Sequence, residues 1–270
     1  MMFTPAPEPI QRAPLAYDEL RETIELTLWA AQLLIQSGAE SSVVERVVHR
    51  LGTGLGADWL DVFLSTNAVT ISISSGGEFR TRTRRVISAP VNLTILAEIA
   101  ALSRRSKRGL LTRDQLRDEL RRISIQPQQY PSWMIIAAIG LACGAFSQLF
   151  GGDIAALAIA WVSASCAMFV RQQLAKLYFN NILVTIITAF VAGALANALA
   201  LTGISTTPRA ALAASVLLLV PGVALINGAE DLIKGYTVTG VARAVQGGLI
   251  SLAIALGLLT AVSLLGGQGL

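Results

Sequence analysis

Five long apolar runs fill the second half of this chain and decide what it can fold into. They are Ser132–Phe150, Ile154–Val170, Ile182–Ile204, Ala210–Ala229 and Ala244–Leu265. Of 21 basic and 17 acidic residues, only eight lie between Pro131 and Leu270. Each run is about the length a helix needs to cross a hydrocarbon core roughly 30 Å thick. Backbone amides are satisfied there only within a helix or a closed barrel. The runs lack the two-residue alternation of barrel strands, so the spacing predicts helices. The predicted fold is an α-helical polytopic membrane protein of five transmembrane helices, preceded by a small cytoplasmic α+β domain. The boundaries predicted are a disordered tail over 1–16, the α+β domain over 17–125 and the five-helix domain over 131–268.

Composition agrees with that division. The mean hydropathy of +0.61 is concentrated in one half, while residues 1–130 hold the other 30 charges. Met1–Pro14 has four prolines and no apolar centre, which excludes a signal peptide. Cys143 and Cys166 both lie inside apolar runs, where they read as small packing residues. No Cys/His cluster has metal spacing, and no cofactor is expected.

Between Arg80 and Arg122 twelve Arg/Lys stand against four Asp/Glu. Nucleic-acid binding is one reading of such a stretch. The better one is a cytoplasmic flank facing anionic lipid, because the stretch runs into the first apolar segment. The same rule sets topology. Arg171 and Lys176 follow segment two, and Lys234 and Arg243 follow segment four. The alternate turns hold Arg209 as their one positive charge. This predicts a cytoplasmic N-terminus, and five crossings then place Leu270 outside.

In the polar half, Asp18 is a candidate cap for a helix running to Gln36, with Gly38 as its stop. Its apolar stripe is Leu20, Ile24, Leu28, Ala31 and Leu34 or Ile35. A second helix starts at Ser41 or Ser42 and ends at Gly54 or Gly56. Strands are predicted over Trp59–Ser65, Ala68–Ser74 and Phe79–Ser88, the last with Arg80, Arg82 and Arg84 on one face. Helices follow from Pro90-Val91-Asn92 to Ser106 and from the capping box Thr112-x-x-Gln115 to Arg122. Catalytic candidates are weak. His49 is a lone histidine on a helix, and Asp58 and Asp61 alternate onto opposite faces. The glycine-rich Gly52–Gly56 follows a helix, the wrong context for a dinucleotide loop.

Polar groups inside membrane segments are costly, so their placement points to function. Gly140-x-x-x-Gly144 reads as a helix-packing stripe. In the fourth run, Pro221 removes an amide donor and Gly222 adds freedom. The pair is either a broken helix exposing main-chain polarity to a solute or a plain kink. Beyond it, Asn227, Asp231 and Lys234 fall on one helical face, with Glu230 beside them. Asp231 with Arg243 reads as a pair that opens in a transport cycle, as a carboxylate titrated by a coupling proton, or as a static pair anchoring the loop. Arg171, Asn181 and Gln246 are further candidates to line a polar path, with Gln148, Asn180 and Asn197 behind them.

These residues carry a resemblance. Leu33-Leu-Ile-Gln-Ser-Gly-Ala-Glu-Ser-Ser, then Val44-Glu-Arg-Val and Leu55-Gly56, resembles the N-terminal module of the threonine/serine exporter family. Val220-Pro-Gly, Asn227, Asp231, Gly240 and Arg243 are similar to that family's second signature. The resemblance spans Leu20 to Leu265. Full-length members join this module to a second hydrophobic one, so the chain resembles the split type, in which a large and a small membrane protein act together. One such split pair is associated with succinate export. The resemblance implies efflux of a hydroxy amino acid or a dicarboxylate, with a separate small membrane subunit as partner, lipid around both and no nucleic acid. A membrane-anchored regulatory or scaffold protein with a ligand-sensing domain is the competing expectation.

Overall fold

The computed structural model describes residues 13–87, 90–126, 130–177 and 179–264. They form two compact units. One contains 13–126 together with Ile226–Ala244, and the other contains the remaining residues. The predicted ends at Met1, Ser88, Leu265 and Leu270 lie outside the described residues.

The first unit begins with α1 (Tyr17–Gln36) and α2 (Ser41–Gly54). The stripe Leu20, Ile24, Leu28, Ala31 and Leu34 is fully or almost fully buried, as the periodicity predicts, while Ile35 packs at its margin. Each large aliphatic side chain so placed stabilises the fold by about 1.5–3 kcal/mol relative to exposure. The cap of α1 is Ala16, two residues before the expected Asp18. Its N–H donates to Glu19 Oε2 at 3.0 Å, so a carboxylate inside the first turn supplies the acceptor. Leu15 is also fixed, its N–H donating to Ser75 Oγ at 3.1 Å, within the stretch 1–16 expected as a tail.

Three strands follow: β1 (Trp59–Leu64), β2 (Ala68–Ser75) and β3 (Glu78–Arg85), antiparallel in the order β1-β2-β3. β3 stops at Arg85, short of the expected Ser88, because Arg85 pairs with Ala68, the first residue of β2. Leu60, Leu64, Val69, Ile71 and Ile73 are buried on one face. Arg80, Arg82 and Arg84 share that face through the register and reach α1: Arg82 and Arg84 pair with Glu25, and Arg80 lies over the Tyr17 ring at 3.7 Å. α3 (Leu93–Lys107) is capped by Asn92, and α4 (Arg113–Ser124) by the predicted Thr112–Gln115 box. Leu116, Leu120 and Ile123 of α4 are fully buried.

The apolar half is helical, with boundaries that depart from hydropathy in both directions. α5 (Ser132–Leu149) matches the first run. α6 (Ile154–Lys176) outlasts its apolar run by six residues, since Arg171-Gln-Gln-Leu-Ala-Lys are good helix formers. α7 (Asn181–Ala200) stops short of Ile204, and Gly203 takes a φ of +71° just beyond it. The fourth run is not one helix. It comprises α8 (Pro208–Ser215), a 3-10 turn over Leu217–Leu219 and α9 (Gly222–Ile233), bent by 66° at the break. α10 (Thr237–Leu264) starts seven residues before Ala244, because Thr237, Thr239 and Arg243 are polar yet helical. Among the described residues four helices are long and apolar enough to cross a membrane, and five if the bent pair counts as one span.

Small residues let these helices approach. A Cβ on Gly140 would strike Ser165 and lie 2.9 Å from the Trp161 carbonyl, and one on Gly144 would lie 2.9 Å from the Leu157 carbonyl. The Gly140-x-x-x-Gly144 stripe therefore packs α5 against the backbone of α6. The cores are largely alanine, with Ala156, Ala167, Ala189, Ala192, Ala196 and Ala211 buried. Outward positions are apolar as well, among them Leu141, Phe169, Leu183, Leu256 and Leu259. That inversion of the soluble pattern suits surroundings of lipid.

Candidate functional site

α1 and α2 meet in the tight turn Ser37-Gly38-Ala39-Glu40, where Gly38 takes a φ of +86°. Such a turn leaves the last carbonyls of one helix and the first amides of the next without helical partners. Here the segment 226–244 supplies them. Asn227 Nδ2 donates to the Gly38 carbonyl at 2.8 Å. Arg243 donates through Nη2 to the Ala39 carbonyl at 2.7 Å. Asp231 accepts from the Ser41 N–H at 3.0 Å and from the Ser41 hydroxyl at 3.0 Å. Its carboxylate thus caps α2 from 190 residues away and meets the positive end of that helix.

Asp231 is fully buried, and Arg243 Nη1 lies 2.9 Å from its Oδ2, with the Arg243 side chain 11% exposed. Nη1 is close enough to pair but misaligned for a hydrogen bond, so attraction of charges dominates that contact. Around this centre, Lys234 pairs with Glu40 and with Glu230, the latter at 3.2 Å, and the Tyr236 hydroxyl donates to Glu45. Burial works against the Glu40 carboxylate, yet hydrogen bonds with Glu230, Lys234 and Ser42 outweigh it and draw the carboxyl down to about 2. The hydrogen bond to Glu40 raises the Lys234 ammonium above its usual range. Burial, aided by Glu45, pushes the Tyr236 phenol up to about 12, which keeps it a donor.

Backbone geometry holds the segment in shape. Gly235 takes a φ of +87°, and the Tyr236 N–H closes on the Asp231 carbonyl at 2.8 Å. Gly228 and Gly240 face each other: a Cβ on Gly240 would lie 2.9 Å from the Leu232 nitrogen and 3.0 Å from the Gly228 carbonyl. Only glycine admits α9 and α10 this close, and that approach brings Asp231 beside Arg243.

The structure therefore joins Asn227, Asp231, Lys234 and Arg243, four of the residues singled out in the sequence. Pro221 and Gly222 lie in the other unit, at the break itself. The chain leaves α-helical geometry already after Ser215, and a Cβ on Gly222 would meet nothing within 4 Å. Arg171, Asn181 and Gln246 also belong to that unit and take no part in the cluster. Asn180 caps α7 by accepting from the Ile182 N–H at 2.9 Å, and Gln148 donates to the Asp153 carbonyl at 2.9 Å. Asn197 is 4% exposed, with Nδ2 unsatisfied among the described residues. His49 and Asp61 are exposed, and Asp58 accepts from the Gly76 N–H in a turn. The residues missed as partners were Gly38, Ala39 and Ser41. The only signal for them was that the two motifs occur together.

A second polar tie lies within the apolar unit. Asp153 caps α6 by accepting from the Ala156 N–H at 2.6 Å, and it accepts from Ser205 and from Thr206 across to the α7–α8 loop at 2.7–2.9 Å. The Thr206 and Ala156 amides hold its carboxyl well below the usual carboxylate range.

An α+β unit whose α1–α2 turn is held by hydrogen bonds from Asn227, Asp231 and Arg243, with several bilayer-length apolar helices, is consistent with a membrane protein. The comparisons agree. Residues 25–265 match the family ThrE, described as "Putative threonine/serine exporter", and the chain belongs to that family. It is 35% identical to the "Probable succinate transporter subunit YjjP" of Klebsiella aerogenes, over 93% of this chain and 97% of that one. It is 34% identical to the Escherichia coli protein of the same description, over 93% and 98%. A "Threonine/serine exporter" of Corynebacterium glutamicum is 23% identical over 88% of this chain but 51% of its own length. No solved structure matches the chain.

Proposed function

We infer that this chain is the large subunit of a two-component exporter in the bacterial inner membrane, that its cargo is a small dicarboxylate such as succinate, and that a separate small membrane protein completes it. One observation carries this reading. The chain covers 97–98% of relatives named as succinate transporter subunits, but about half of a relative named as a threonine/serine exporter. The loop charges favour a cytoplasmic N-terminal domain and five crossings, with the bent pair α8–α9 as the fourth. No nucleotide-hydrolysis motif occurs in the sequence, so the proton gradient is the proposed energy source. The cluster at Asp231 and Arg243 serves as the joint through which the cytoplasmic domain acts on α9 and α10. The break at Pro221 and Gly222 gives that movement a hinge. Arg171, Asn181 and Gln246 are proposed to line the path, Arg171 drawing anions to the inner mouth.

The test is release of labelled succinate, threonine and serine from cells carrying the chain with and without a candidate small membrane partner. Succinate efflux that needs both proteins is expected. Threonine or serine efflux from the chain alone would reverse the assignment of cargo. Absence of efflux in every combination would favour the scaffold alternative.

A further inference from the structure

The joint leaves one strongly charged feature of the first unit unexplained. Arg46, His49 and Arg50 project from the outer side of α2, spaced three and four apart. Arg104, Lys107 and Arg108 do the same at the end of α3, which packs beside it. Two adjoining concavities share Arg50 and Lys107. One, of about 370 Å³, is completed by Arg104 and Arg108 and has four cations and no carboxylate in its lining. The other, of about 430 Å³, adds Ser42, Glu45, His49 and Tyr236.

Several cations elsewhere in this unit are partnered, Arg82 and Arg84 by Glu25, Arg113 by Glu19, Arg117 by Glu22 and Arg105 by Glu119, while Arg21, Arg85 and Arg121 stand singly without an ion pair among the described residues. Arg46, Arg50, Arg104, Lys107 and Arg108 have no ion-pair partner among the described residues. Favourable placement at a helix C-terminus accounts for Arg104 and Lys107. It does not account for Arg46 and Arg50 in the body of α2. Like charges held around one hollow repel unless an anion lies among them. Guanidinium groups match phosphate oxygens two at a time, and a lysine adds a point charge. The neighbouring hollow is different. Its tyrosine, histidine and serine suit the organic part of a ligand, and Glu45 disfavours a second anionic group there.

We propose that this groove is a regulatory site for a soluble organic polyphosphate of the nucleoside di- or triphosphate class. The phosphates lie among Arg50, Arg104, Lys107 and Arg108, and the organic part lies against Tyr236 and His49. The groove is also placed to report on the joint. The Tyr236 N–H holds the Asp231 carbonyl, and Ser42 follows the residue that Asp231 caps. A ligand touching α2 and Tyr236 together binds the assembled joint and favours it over a parted one. This site stands whatever the cargo proves to be.

The experiment is calorimetry and thermal melting of the purified full-length chain in detergent, with ATP or inorganic pyrophosphate in the absence of Mg²⁺. Saturable binding is expected for both, weakened tenfold or more by Arg104→Ala/Arg108→Ala and by raised salt. Arg85→Ala, an exposed cation on β3, is expected to change nothing. Tyr236→Phe weakens ATP more than pyrophosphate. Each variant is first matched to wild type in its ligand-free melting temperature, with Arg108→Gln as the milder substitute. No saturable binding, equal weakening by Arg85→Ala, or stabilisation only by phosphatidylglycerol in nanodiscs would overturn the proposal.

Discussion

Asp231 exposes no surface to water, yet two donors and one charge converge on its carboxylate. The donors are the Ser41 N–H and hydroxyl, and the charge is the Arg243 guanidinium. Replacing it with Asn keeps the shape but leaves the buried Arg243 guanidinium without a counter-charge, a loss of about 3–5 kcal/mol. Asp231→Asn is therefore expected to insert in the membrane, melt at clearly lower temperature and lose export, as is Arg243→Ala. Ser41→Ala tests the side-chain half of this arrangement, since the backbone cap of α2 is retained. Removing the Ser41 hydroxyl is expected to weaken stability by about 1 kcal/mol and to reduce export. Unchanged melting and export in Ser41→Ala would show that the hydroxyl bond has no part in transport. Glu40 adds a pH dependence with a definite sign. Its carboxyl ionises at about 2 in the fold against 4.5 unperturbed. Its contribution is complete above pH 4.5 and fades as pH falls towards 2. The melting difference between wild type and Lys234→Met should shrink across that window.

At the scale of elements, helix existence was legible and helix ends were not. Hydropathy marks where side chains are apolar, whereas a helix continues for as long as its backbone is supported. α6 runs on through Arg171–Lys176, and α10 begins among threonines. The break in the fourth run was legible from Pro221, but α-helix gives way to a 3-10 turn after Ser215, a change that composition does not signal. Asp153 was read only as part of a turn, although it caps α6 and ties two loops together. Asp153→Ala should lower the melting temperature by a few degrees. The effect should persist from neutral pH down to about 4, because the folded carboxylate resists protonation beyond the usual range. An Asp153→Asn variant, which retains one acceptor, should lose less.

For the whole molecule, division into an α+β part and a helical part was evident from charge alone. The composition of the first unit was not. Residues 226–244 sit among apolar runs in sequence but pack with 13–126. Helical spacing placed Asn227, Asp231 and Lys234 on one face, yet no local pattern names a partner 190 residues away. The basic groove was legible as a run of positive charge, though not as a hollow built from α2 and α3. Those faces are separated by about fifty residues and three strands.

The distance along the chain between Ser41 and Asp231 sets an order of events during synthesis. When α1 and α2 leave the ribosome, the Gly38 and Ala39 carbonyls and the Ser41 amide of their connection have only water as partner. Their permanent partners are translated after three bilayer-length helices and the broken fourth stretch have emerged. The N-terminal unit thus reaches its final form late, and a nascent chain whose hydrophobic helices fail to insert never delivers that closing segment. Native packing around Gly38–Ser41 thus waits on residues that follow most of the apolar helices in the chain.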